Sequence, residues 1–122
     1  MIIVKIWGQI DRTMSNLVDV ELAQLKDDNE PVIVLINSEG GILSDAIAIC
    51  NLLNAVPNKK ITIAIGACAS AAAMIFACGK TRYVAKDAQY MIHQPFCWPL
   101  TRHLLLFQLQ CCQGYIHASS AT

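Results

Sequence analysis

ITIAIGACASAAAMIFACG, residues 61–79, is the stretch that decides the fold. Its first five residues predict a strand, and the small apolar residues after a turn at Gly66 predict a buried helix. Ser70 lies at the junction, beside helical N–H groups that have no partner within the helix. Such a serine is well placed to act as a nucleophile. The alternatives are a membrane-spanning helix, or a buried strand and helix in which Ser70 only caps the helix.

Composition limits the classes of protein that fit. The 122 residues predict one domain, and 55% hydrophobic against 15% charged residues indicates buried subunit surface. Nine basic and nine acidic residues do not indicate a nucleic-acid-binding protein. Six cysteines without disulfide-framework spacing predict reduced thiols in the cytoplasm, and no secretory signal is expected before the first strand. Lysines flank residues 61–79 on both sides, which disfavours a membrane span.

The rest of the chain alternates predicted strands and helices. Strands are predicted at residues 2–6, 32–36, 61–65, 83–85 and 90–92. A helix capped by Asp11 or Thr13 should bury Met14, Leu17, Val18, Leu22 and Leu25. A second helix is predicted at residues 42–56, and a third runs from the Ser70 junction to Gly79. The run at residues 32–36 is typical of a strand buried on both faces. This alternation predicts an α/β fold with a largely parallel sheet.

Three groups could converge at the ends of these strands. Gly41 opens a helix after a buried strand, Ser70 and Ala71 occupy an equivalent junction, and His93 follows the last predicted strand. Two N–H donors, a hydroxyl and a histidine are the set that acyl transfer requires. Taken singly, Gly40-Gly41 could be an ordinary turn and His93 a structural histidine.

INSEGG at residues 36–41, GACAS at 66–70 and MIHQP at 91–95 resemble three ordered motifs of the Clp protease proteolytic subunit, and IWGQID at 6–11 is similar to its early strand and turn. The resemblance implies a crotonase-like ββα spiral, a homo-oligomeric (heptameric) ring and cytoplasmic, ATP-dependent proteolysis. Peptides or unfolded proteins would be the substrates. An AAA+ Clp unfoldase would hydrolyse the ATP, since no Walker A motif is present here. No cofactor, metal, nucleic acid or membrane is implied.

The same resemblance assigns roles to individual residues. Ser70 would be the nucleophile and His93 the general base. The N–H groups of Gly41 and Ala71 would form the oxyanion hole. Substrate would add as an extended strand around Ile42 and Leu43.

The sequence departs from the family pattern at Glu39, Cys68 and Ala71, and the resemblance ends near Phe96. We therefore expect a peptidase core at residues 1–96 and a divergent tail at 97–122, without the family's handle helix. No Asp or Glu follows Asp87, so the carboxylate that orients the histidine is not found in the tail. The sequence positions of Asp45 and Asp87 do not identify either of them as a replacement for this carboxylate. A frameshift is one hypothesis for the tail.

The tail offers two weaker patterns. Residues 104–109 predict a short helix, and His103, Cys111, Cys112 and His117 have spacings unlike a zinc finger.

Three rivals to an active peptidase remain: a non-catalytic Clp-like assembly subunit, a crotonase-fold acyl-CoA enzyme, and a membrane-bound Ser–Lys peptidase. The serine and histidine motifs disfavour the second, and no base lysine can be placed for the third.

Overall fold

The computed structural model describes residues 1–91. Its elements in chain order are β1 (Ile2–Trp7), α1 (Arg12–Leu22), β2 (Val32–Ser38), α2 (Leu43–Ala55), β3 (Lys60–Ala69), α3 (Ala71–Ala77), β4 (Thr81–Val84) and β5 (Gln89–Met91). His93, position 92 of the last predicted strand, and the predictions for residues 97–122 (the tail, its helix and the zinc pattern) lie outside the described residues.

All the strands run parallel in one sheet. The order is β1-β2-β3-β4, and β5 pairs with the far end of β3. The ten-residue β3 pairs with two short strands in succession along its length. Its residues Ile61–Ala64 pair with β4, and its residues Ala67–Ala69 pair with β5. The structure thus confirms the predicted α/β fold with a parallel sheet.

The hydrophobic core lies on one face of β2 more than on the other. Val32, Val34 and Ile36 are fully buried, whereas Ile33 and Leu35 are only partly buried. The prediction of a strand buried on both faces therefore holds fully for one face and only in part for the other. Its two neighbours in the sheet are β1 and β3, so its hydrogen bonds are satisfied on both sides.

Helix α1 begins as the sequence predicts and ends earlier. The Asp11 carboxylate accepts a hydrogen bond from the Met14 N–H at 2.9 Å, which makes Asp11 the cap. The helix ends at Leu22, so Leu25 lies beyond it. Leu17 was predicted to be buried and is instead 59% exposed. The buried stripe has a spacing of four residues, and Leu17 falls beside it.

Strand β3 continues past the predicted turn at Gly66 and ends at Ala69. Asn37 explains the difference, because its Oδ1 accepts a hydrogen bond from the Ala67 N–H at 3.0 Å. A Cβ on Gly66 would collide with that same side chain. Gly66 therefore makes room for Asn37 within a strand instead of ending the strand.

The apolar stretch that raised the possibility of a membrane span is divided between β3 and the seven-residue α3. Among residues 1–91, no helix has the length and apolar character needed to cross a membrane.

Candidate active site

Ser70 joins β3 to α3 in a backbone conformation that side chains rarely adopt. Its φ is 57° and its ψ is −125°. Such a conformation costs on the order of 1–3 kcal/mol and is common at functional sites. The hydroxyl makes no capping hydrogen bond to α3. The hydroxyl also has no other hydrogen-bond partner within residues 1–91. The alternative in which Ser70 serves only as a helix cap is thereby disfavoured.

Gly40 brings the loop after β2 against this junction. A Cβ built on Gly40 would lie 2.9 Å from the Ser70 Cβ, 3.1 Å from the Ala69 carbonyl oxygen and 3.2 Å from the Ala71 nitrogen. Gly40 also has a φ of 105°, which favours glycine. Only glycine fits both the space and the conformation, so the two strand ends meet through backbone atoms.

The two glycine N–H groups of this loop differ in whether they are hydrogen-bonded within residues 1–91. The Gly40 N–H donates to the Oγ of buried Ser38 at 3.1 Å. The Gly41 N–H finds no acceptor among residues 1–91. The structure therefore leaves Gly41, rather than Gly40, with an N–H available to a ligand. Gly41 itself packs on the Ile10 backbone, where a Cβ would collide with main-chain atoms.

The segment after Gly41 is already hydrogen-bonded to its neighbours. The Ile42 N–H donates to the Ile10 carbonyl at 2.8 Å, and the Ile42 carbonyl accepts from the Ala46 N–H at 3.1 Å. Leu43 is the first residue of α2. The Ile42 side chain, by contrast, is 47% exposed. In this conformation Ile42 presents a side chain, and not a free backbone edge, at the surface.

A cavity of about 570 Å³ opens beside the loop and is lined by residues 7–9, residues 37–41 and Ala67. Trp7 is half exposed at its rim. Ser70 does not line the cavity but adjoins it across Gly40.

The buried carboxylate of Asp45 is committed elsewhere. Its Oδ1 accepts hydrogen bonds from the Arg12 Nε and the Ser15 Oγ, both at 3.1 Å. These contacts tie α2 to α1. Asp87 is exposed and has a φ of 67°. No group of three or more His, Cys, Asp or Glu that could hold a metal ion occurs in the described part of the chain.

Asn37 and Ser38 support the site and were not singled out from the sequence as supporting residues. Asn37 holds the far end of β3, and Ser38 fixes the Gly40 N–H. The signal was present, because two polar residues end an otherwise apolar strand directly before Gly40-Gly41. Of the predicted site residues, the structure brings Ser70 and Ala71 against Gly40, next to Gly41. His93 lies outside the described residues.

Comparison with known proteins points to a single family. The family model described as Clp protease matches residues 1–99. The ATP-dependent Clp protease proteolytic subunit 2 of Borreliella burgdorferi is 37% identical over 92 residues, which cover 72% of this chain and 46% of that protein. The proteolytic subunit of Carsonella ruddii is 37% identical over 91 residues, 72% of this chain and 47% of that protein. The proteolytic subunit of Streptococcus agalactiae is 31% identical over 97 residues, which cover 76% of this chain and 50% of that protein.

The chain thus spans about half the length of the curated relatives that it matches. The family model, in turn, covers most of the chain, including the Gly40-Gly41 loop, Ser70 and His93. The chain belongs to the Clp protease family.

Proposed function

We propose that the chain supplies the nucleophile and the oxyanion donors of an ATP-dependent Clp-type serine endopeptidase. The observation that carries this proposal is the position of Ser70 at a strained strand-to-helix junction against the backbone of Gly40. Its hydroxyl makes no hydrogen bond within residues 1–91. A serine in that geometry can present its hydroxyl to the carbonyl carbon of a bound substrate, because the hydroxyl is not used to cap the helix. The names of the relatives agree with this activity.

The reaction follows from the groups around Ser70. Its Oγ attacks the scissile carbonyl while His93 accepts the hydroxyl proton. The Gly41 and Ala71 N–H groups donate to the developing oxyanion. His93 then protonates the leaving amine, and water hydrolyses the acyl-enzyme by the reverse sequence. The Gly41 N–H, which has no acceptor among residues 1–91, and the first N–H of α3 support these roles.

Strand pairing supports the role of His93 as the base. In the parallel register between β3 and β5, Met91 is the partner of Ala69, the residue before Ser70. The chain therefore passes residue 91 at the Ser70 end of the sheet. Two residues span at most about 7 Å. This register is compatible with the proposed role of a histidine two residues beyond Met91.

The substrate is proposed to be an extended peptide bound beside Ile42 and Leu43. The backbone of Ile42 is already bonded to Ile10 and Ala46, so recognition in this conformation would use the exposed Ile42 side chain and the adjacent cavity. A cytoplasmic ring of such subunits would receive unfolded chains from an AAA+ Clp unfoldase, which hydrolyses the ATP. Hydrolysis by Ser70 and His93 needs no cofactor of its own.

A non-catalytic assembly subunit is the second candidate function. The engagement of Asp45 by Arg12 and Ser15 favours it, because this buried carboxylate is not available to orient a histidine. Loss of the orienting carboxylate lowers the rate of serine proteases about ten-thousandfold.

Labelling with a fluorophosphonate probe, read by intact mass, tests the proposal. We expect one adduct, mapped to Ser70, that forms at least about a hundred times faster than in His93→Ala. Ser70→Ala should give none, whereas the exposed Ser44→Ala control should label like the parent. Folded parent that does not label would refute the catalytic proposal and favour the assembly subunit.

A further inference from the structure

A second site lies at the opposite edge of the sheet from Ser70. β3 runs from Lys60 to Ala69, so its two ends are about 30 Å apart. At the Lys60 end, the loops before β3 and before β4 enclose a cavity of about 620 Å³. Asn58 fixes the first loop, because its side-chain amide donates to the carbonyls of Asp27 and Glu30 at 2.8 and 2.7 Å. The cavity is therefore built on an anchored part of the fold.

The lining of this cavity is basic and contains one thiol. Lys59, Lys60, Lys80 and Cys78 line it together with Pro57, Asn58 and Thr81. No acidic side chain is among these lining residues. The Lys60 Nζ donates to the Val56 carbonyl, which ties that ammonium to the end of α2. A small anionic molecule that enters the cavity would be attracted by the three lysines that line it together with Cys78.

Cys78 has a second thiol in contact with it. Cys50, in the middle of α2, is buried in the core and hydrogen-bonds to Cys78, which follows α3 and packs on that core. Neither cysteine forms a disulfide in this structure. Cys50 is 6% exposed, whereas Cys78 is partly exposed. An incoming reagent therefore reaches Cys78 first, and Cys50 second.

Several contacts act on the Cys78 thiol, whose Sγ also donates a hydrogen bond to the Met74 carbonyl at 3.6 Å. The hydrogen bond from Cys50 lowers the pKa of the Cys78 thiol, and burial opposes it. The positive charges of Lys60 and Arg82 lower the Cys78 pKa further. The thiolate is the nucleophile in thiol–disulfide exchange.

We propose that Cys78 and Cys50 form a redox pair that is oxidised by small anionic disulfides entering the lysine-lined cavity. In the first step, the Cys78 thiolate attacks one sulfur of the disulfide. A bond forms between Cys78 and that sulfur, the original S–S bond breaks, and one thiolate leaves. In the second step, Cys50 loses its proton to solvent and attacks the Cys78 sulfur, and the second thiolate leaves. The two cysteines lose two electrons, and one disulfide becomes two thiols.

The test uses the full chain and two aromatic disulfides: anionic dithiobis(nitrobenzoate) and neutral dithiodipyridine. We expect the parent to release two thionitrobenzoate ions from this pair and to form a Cys50–Cys78 cross-link. Trypsin separates the two cysteines, but leaves Cys68 and Cys78 on one peptide, so fragment ions must assign the sulfur. Fully buried Cys68 is the internal control and should not react in folded protein.

Three variants separate the steps. Cys50→Ser should stop at a stable adduct on Cys78, and Cys78→Ser should protect Cys50. In the triple variant Lys59→Gln, Lys60→Gln, Lys80→Gln, the rate with the anionic reagent should fall about tenfold relative to the neutral one. An adduct that persists on Cys78 in the parent, or an unchanged rate ratio in the triple variant, would overturn the proposal. Circular dichroism of each variant establishes that folded protein is compared.

Discussion

The sites at the two edges of the parallel sheet differ in whether backbone atoms or charged residues line them. At the carboxyl-terminal edge, the loop after β2 meets Ser70 through backbone atoms, and Gly40 leaves no room for a side chain. At the amino-terminal edge, three lysines and Cys78 are among the seven residues that line the cavity. A site made of backbone depends on conformation and close packing. A site made of charged side chains depends on electrostatics, which surface substitutions can change without disturbing the fold.

The sharpest test of this contrast is Gly40→Ala against Gly8→Ala. Both glycines have positive φ, 105° and 81°, but a Cβ on Gly8 would meet nothing within 4 Å. The left-handed conformation alone costs about 1 kcal/mol in a residue other than glycine. The contact with Ser70 adds about 1–3 kcal/mol of overpacking. We expect losses of about 2–4 kcal/mol for Gly40→Ala and about 1 kcal/mol for Gly8→Ala, measured by urea unfolding.

The same pair of variants separates packing from reactivity. Gly40→Ala should also abolish probe labelling of Ser70, whereas Gly8→Ala should retain it. Equal losses of stability in the two variants would mean that the loop is not packed against the serine in solution.

Asn37 tests whether a side chain maintains the backbone of the same edge. Asn37→Ala removes the acceptor for the Ala67 N–H, and a backbone donor without a partner costs about 1–3 kcal/mol. Asn37→Asp retains an acceptor at the same position and should lose less. Hydrogen exchange of the Ala67 amide should accelerate in the alanine variant only. Unchanged exchange in both variants would show that β3 does not need this contact beyond Gly66.

A buried hydroxyl gives the corresponding test near the amino-terminal edge. Thr62 is fully buried, and its Oγ1 donates to the Phe76 carbonyl at 2.6 Å. Thr62→Val preserves the shape and removes this hydrogen bond, and we expect a loss of about 1 kcal/mol in the free energy of unfolding. The Gly79 N–H still donates to the Phe76 carbonyl, which limits the penalty. A loss above that of Gly40→Ala would reverse the ranking of the two edges.

The carboxyl-terminal edge was largely predictable from the sequence because its parts are local. The parallel sheet, the Asp11 cap and the Ser70 junction each follow from a short run of residues. The predictions that failed concern features that depend on residues far apart in the sequence. Gly66 was predicted to end β3, but Asn37, on the neighbouring strand, extends it. Leu17 has an apolar side chain of the kind found in protein cores, but it lies outside the buried stripe of α1.

The amino-terminal edge carries no comparable sequence signal. Cys50 and Cys78 are separated by β3 and α3, and the lysines beside them belong to two different loops. Each residue alone is unremarkable in type and spacing. Only the parallel topology, which places the starts of β3 and β4 at the same edge, brings them together.

The smallest expected effect on stability is also the one that defines the second edge. Lys80 is exposed and is not part of the core, so Lys80→Gln should change the free energy of unfolding by less than about 0.5 kcal/mol. Its backbone N–H, which donates to the Lys60 carbonyl at 3.0 Å, is retained in the variant. Urea unfolding of parent and variant at low and moderate salt measures the difference. A loss above about 1 kcal/mol would mean that the ammonium groups hold the two loops together, and the contrast between a backbone-made and a charge-lined edge would then fail.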